Sequence, residues 1–137
     1  MSVRETVMAA AFARLATIAG AAVRRNAALP ETVPAGGLVV LRDGDPGAPD
    51  VTLNPRSEYY THRAEIEAFA AAEAAVDVLF QAAAAALAAD RTLGGLAEYM
   101  ALGAPELGAV EIDGAAPIVA ARANLTIEYL VTDPLAA

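Results

Sequence analysis

An α+β domain, with two main helices packed on one face of a mostly antiparallel sheet of about four strands, is the fold this sequence predicts. Three observations predict it. Two segments repeat apolar residues at helical spacing, and others alternate or run as dense β-branched stretches. Their order along the chain is helix, strands, helix, strands, which places the helices together on one sheet face. A long Asp/Gly/Pro loop is expected between strands. The 137 residues form a single domain, 1–137, long enough to bury a core of its own.

The first helix opens at Ser2, where Ser2 and Glu5 form a capping box that satisfies two orphan amides. Val3, Val7, Phe12, Leu15 and Ile18 follow on one broad face with Met8 at its edge, and Gly20 is the natural stop. The segment "AAVRRN" begins the sheet, and "LPETVPAGG" is a rigid, turn-rich connector. "LVVLR", residues 38–42, is a buried strand by its β-branched density. After the loop "RDGDPGAPD", the segment "RSEYYTHRAEIEAFA" alternates. Tyr60, His62, Ala64 and Ile66 face the core, while Tyr59, Thr61, Arg63, Glu65 and Glu67 face outward.

The second helix spans about residues 71–89 with the stripe Val76, Leu79, Phe80, Ala83 and Leu87. Glu73 and Asp77 lie near its start, where the helix dipole favours negative charge. A short helical turn, a strand near 96–102 and a long loop are expected next. The final strand shows Leu125, Ile127, Tyr129 and Val131 on one side and Asn124, Thr126, Glu128 and Leu130 on the other, with Pro134 as its end.

Composition narrows the function classes. Seventeen acids against nine bases, all arginine, give a net charge of −8. Phosphate binding needs positive surface, so such a chain grips DNA poorly, although it could surround a duplex. The absence of cysteine removes disulfides, thiolate zinc sites and cysteine nucleophiles. Much of the apolar content is alanine, which buries little area per residue, so an oligomer is favoured over a monomer. No membrane segment is expected: Arg14 and Glu5 interrupt the first apolar run, and Glu73 and Asp77 the second.

No catalytic, cofactor or metal set emerges. Asp43, Asp45 and Asp50 are spaced like the start of a calcium loop, but Pro46 and Gly47 stand where a free backbone and an oxygen ligand are needed. With no lysine there is no P-loop, and Gly94-Gly95 lacks the third glycine of a dinucleotide site. His62 is a lone strand histidine, and Ser57 lacks a Gly-flanked elbow. Glu65 and Glu67 lie ~7 Å apart on one strand face, a spacing that suits paired carboxylates, but nothing near them singles out one as an acid. A solvated or subunit-facing charge row is the better reading.

The succession of segments resembles the tail terminator proteins of long-tailed bacteriophages and of phage-like gene transfer agents in alphaproteobacteria. The resemblance is carried by "VRETVMAAAFARLATI", "VRRNAALPETVPAGGLVVLRDGDPGAPDVTLNP", "YYTHRAEIE", "AAALAADRTLGGL" and "TIEYLVTDPL", and it covers nearly the whole chain. It implies a structural, non-enzymatic protein without cofactors that assembles in the bacterial cytoplasm and stays in the particle at the head–tail junction. It implies a homo-oligomeric ring, a hexamer, on the head-proximal end of the tail tube, with a head-side connector or stopper protein as second partner. DNA would pass through the lumen without sequence-specific binding. The residues expected at subunit or tube interfaces are Arg42, Asp43, Asp45, Arg56, Arg63, Glu65 and Glu67, with the acidic row facing arginines such as Arg42, Arg56 or Arg122 of a neighbour. The alternative is a small α+β enzyme or ligand-binding domain, which a deep pocket with convergent polar groups would favour.

Overall fold

Ser2 accepts a hydrogen bond on its Oγ from the Glu5 amide at 3.1 Å, and helix α1 (Val3–Leu15) starts there. The computed structural model describes residues 2–30, 32–110 and 118–132. Only half of the expected capping box forms, because the Glu5 carboxylate turns instead to Arg25. The helix also ends five residues before Gly20. The Thr17 hydroxyl donates to the Arg14 carbonyl at 2.6 Å and satisfies the C-terminal end, leaving Gly20 (φ 80°) for the turn into the sheet.

The strands are β1 (Ala22–Arg25), β2 (Leu38–Asp45), β3 (Asp50–Thr52), β4 (Ser57–Ala70), β5 (Tyr99–Leu102), β6 (Glu106–Val110) and β7 (Ile118–Val131). Helix α2 (Glu73–Ala88) lies between β4 and β5, followed by a 3-10 turn at Leu93–Gly95. The α+β class is as the sequence predicts, with seven strands among the described residues rather than about four. Their order is β1-β2-β4-β7-β5, with β3 added to β4 and β6 to β7. Only β1 and β2 run parallel. The long antiparallel β4–β7 ladder, from Glu58↔Val131 to Ala70↔Val119, is the spine.

Alternation divides the sheet into two faces. Both helices cover one, where Val7, Met8, Leu15, Val76, Leu79 and Phe80 bury Val39, Leu41, Ile66, Leu125 and Ile127. Each such side chain contributes ~1.5–3 kcal/mol when fully buried. The other face carries a small apolar cluster at one end, where Ala27 and Val33 of the 26–37 connector pack on Leu38, Val40, Phe69 and Ile118. Beyond that cluster it holds the cross-strand pairs Thr61–Glu128, Arg63–Thr126, Glu65–Asn124 and Glu67–Arg122 and, among the described residues, no helix.

The Asp/Gly/Pro segment is shorter as a loop than expected, because β2 runs on through Asp45 and β3 resumes at Asp50. A bulge between Arg42 and Asp45 makes this possible. Gly44 sits there at φ 64°, and a Cβ on it would lie 1.9 Å from the Arg63 carbonyl oxygen. The stretch near 96–102 is a strand only from Tyr99, after the predicted helical turn. The expected long loop beyond it contains β6. Pro134, predicted to end the last strand, lies outside the described residues. Among the described residues, no helix is long and apolar enough to cross a membrane.

Candidate interaction surface

The seven residues predicted for an interface fall in four places. Arg42, Arg63, Glu65 and Glu67 come together on the helix-free face, as the pairs Arg42↔Glu65 and Glu67↔Arg122 require. Arg63 is exposed there, and Glu65 and Glu67 are half-buried. Arg42 is paired within the chain, where its Nε donates to Glu67 Oε1. Arg122 reaches Glu106 at 4.0 Å, and both are widely exposed. The open face is thus a lattice of alternating charge rather than an acidic row.

Asp43 lies on the opposite, helix-covered side. Arg25 donates from Nε and Nη2 to its two oxygens at 2.8 and 2.7 Å, and from Nη1 and Nη2 to the Glu5 carboxylate at 2.7 and 2.9 Å. These hydrogen bonds hold both carboxyls below their usual range and push the guanidinium up, so all three stay charged. The network clamps α1, β1 and β2 together. Asp43, expected at an interface, is held in this clamp within the chain. Asp45 accepts from the Gly47 amide at 2.8 Å and shapes the turn, while Asp50 pairs with Tyr59 in the β3–β4 ladder. The three aspartates therefore serve three different places. Among the described residues, no three His, Asp or Glu side chains converge as metal ligands.

Arg56 lies in the 53–56 turn at the tip of an arm, residues 46–56, that runs through β3 and returns into β4. Its Nη2 donates to Glu58 Oε1 at 3.0 Å, and the Tyr60 hydroxyl donates to Glu58 Oε2 at 2.7 Å. Tyr60 and Arg56 hold Glu58 below the ordinary carboxylate range. Tyr60 then stacks on Tyr129 with ring centroids 5.5 Å apart. Tyr129 is fixed in turn by His62, whose Nδ1 is 3.0 Å from the tyrosine hydroxyl. The other ring nitrogen, Nε2, faces the Asp43 carbonyl at the bulge. A carbonyl only accepts, so Nε2 carries the proton, and in the neutral ring Nδ1 accepts from Tyr129. Burial pushes the Tyr129 hydroxyl up to about 12, keeping it a donor. His62 is fully buried and joins β2, β4 and β7.

This chain of contacts walls an open hollow of about 180 Å³ between Val3, Arg4, Pro46, Tyr60, Tyr129 and Val131. The sequence shows Tyr60 and Tyr129 as core-facing residues, but not the hollow, because Pro46 and the start of α1 reach it only through the fold. The arm beside it exposes Val51 and Leu53, at 45% and 74%. The signal that could have found them is "VTL", an apolar alternation between two turns, which is short enough to read as part of the loop.

The sheet is thus backed by helices on one face and presents mixed charge on the other, with an exposed apolar turn and a hollow at one end. No protein-family model matches the sequence, and no curated protein matches it. Among solved structures, the chain is similar to a chain of a "virion of native gene transfer agent (GTA) particle". The identity is 19%, the TM-score 0.37, and the match covers 90% of this chain and 94% of that one.

Proposed function

We propose that this chain is a tail terminator: a structural protein that closes into a ring, a hexamer, on the head-proximal end of a tail tube. The ring ends tube polymerisation and offers its far side to a head-side connector or stopper, with DNA passing through the lumen. It assembles in the bacterial cytoplasm and remains at the head–tail junction of a phage or gene transfer agent particle. The observation that carries this reading is the division of the sheet. One face is filled by helices, while the other leaves Arg63, Glu65, Arg122 and Glu106 at an accessible surface of mixed charge. Mixed charge suits the heterologous contacts of a ring, in which one surface meets a different one on the next subunit. The net charge of −8 suits a lumen through which DNA slides without being gripped. The succession of segments supports the same assignment.

Negative-stain imaging of the purified chain with tail tubes tests it. Rings at one end of each tube, and tubes that stop elongating, are expected. Tubes that grow unchanged and carry no density at their ends would contradict the assignment.

A further inference from the structure

Leu53 is the most exposed large apolar residue among the described ones, and it stands at the end of an arm. The hollow beside the arm's base is apolar on Val3, Pro46, Tyr60 and Val131. Leu53 does not fill the hollow of its own chain, as its 74% exposure shows. We propose that the Leu53 arm of one copy docks in the Tyr60 hollow of a second copy of this chain. Size agrees: an apolar cavity of ~150 Å³ takes a six-carbon ring, so about 180 Å³ takes the four carbons of a leucine side chain. Rigidity agrees too. Tyr60 is held by Glu58 and stacked on Tyr129, so the wall needs no ordering when the leucine arrives.

Charge selects the occupant. Arg4 at the rim of the hollow has no ion-pair partner among the described residues, and neither has the exposed Asp50, three residues before Leu53. Seating Leu53 brings the acidic flank of the arm to the basic rim of the hollow. Arm and hollow are different surfaces, so the contact is heterologous in kind and propagates from copy to copy. The inference rests on the self-assembly in the proposed function, and on none of its tube or head contacts.

Sedimentation velocity of the full chain over a range of concentrations, without tubes, tests it. Leu53→Asp should weaken self-association by at least about tenfold, since it removes a buried leucine from the contact. Arg4→Asp and Asp50→Arg should each weaken it at low salt, and the two together should restore it. All three positions are exposed, so folding is preserved, and far-UV circular dichroism checks this. A parent that stays monomeric, a Leu53→Asp chain that associates like the parent, or a double reversal weaker than either single one overturns the inference. A Leu53→Asp chain that associates normally yet no longer caps tubes would assign the arm to the tube instead, and equally overturns it. Intact arm-dependent association without tube capping upholds this contact while removing the terminator role.

Discussion

The two faces of the sheet are made by the same strands and differ in what covers them. On the helix side, residues 64, 66, 68 and 70 of β4 and 121, 123, 125 and 127 of β7 are all buried. On the other side, the intervening Arg63, Glu65, Glu67, Arg122 and Asn124 stay exposed or half-buried. One face stabilises the monomer by apolar burial. The other contributes little, because exposed ion pairs are each worth ~0–1 kcal/mol. Folding thus rests on the helix side, and the open face can be changed with limited effect on it.

The largest effect should come from the helix side. Ile127→Ala removes a fully buried side chain and should cost ~2–5 kcal/mol, read as a lower denaturation midpoint with unchanged slope. Next is the buried polar link at the bulge. His62→Ala leaves the Tyr129 hydroxyl and the Asp43 carbonyl without their partner, a loss of ~1–3 kcal/mol in thermal or chemical melts.

The Arg25 clamp gives a smaller, pH-dependent effect. Glu5 and Asp43 have depressed folded values, so their contribution is fully present above the ordinary carboxylate range of ~4. It is lost as pH falls through the lower folded values. Stability should therefore be level near neutrality and decline below about pH 4. In Arg25→Gln that part of the acid dependence should shrink, as denaturant melts from pH 7 to pH 3 would show.

The open face should register least in stability and most in assembly. Glu65→Arg with Glu67→Arg should shift stability by ~1 kcal/mol or less, mainly through the lost Arg42 pair. Assembly measured by light scattering should weaken at low salt, where repulsion would recur at every boundary of the proposed ring, and recover in part at high salt. Unchanged assembly at low salt would remove these residues from a subunit boundary.

The helix side is legible in the sequence because burial imposes a period. The stripe from Val76 to Leu87 and the alternations of β4 and β7 all appear as regular spacings of apolar residues. The short exposed strands leave no such mark. All three residues of β3 are exposed, so its alternation buries nothing and reads as loop. In β6, Glu106, Leu107 and Gly108 are exposed, with the same consequence. The bulge at Gly44 is hidden because Asp-Gly signals a turn as readily as a strand irregularity. On the open face, alternation gives the side of Arg63, Glu65 and Glu67, but not the Arg42 pairing, which depends on how β2 registers against β4. Asp43 reads as surface because it is a charged residue beside turn formers, while the partner that buries it, Arg25, comes from another strand.

Native mass spectrometry of the full chain near neutral pH is the most direct test of closed self-assembly by this chain. One closed stoichiometry, a hexamer, is expected, with no ladder of larger species. A chain that remains monomeric at every concentration, or that grows without closing, would contradict it.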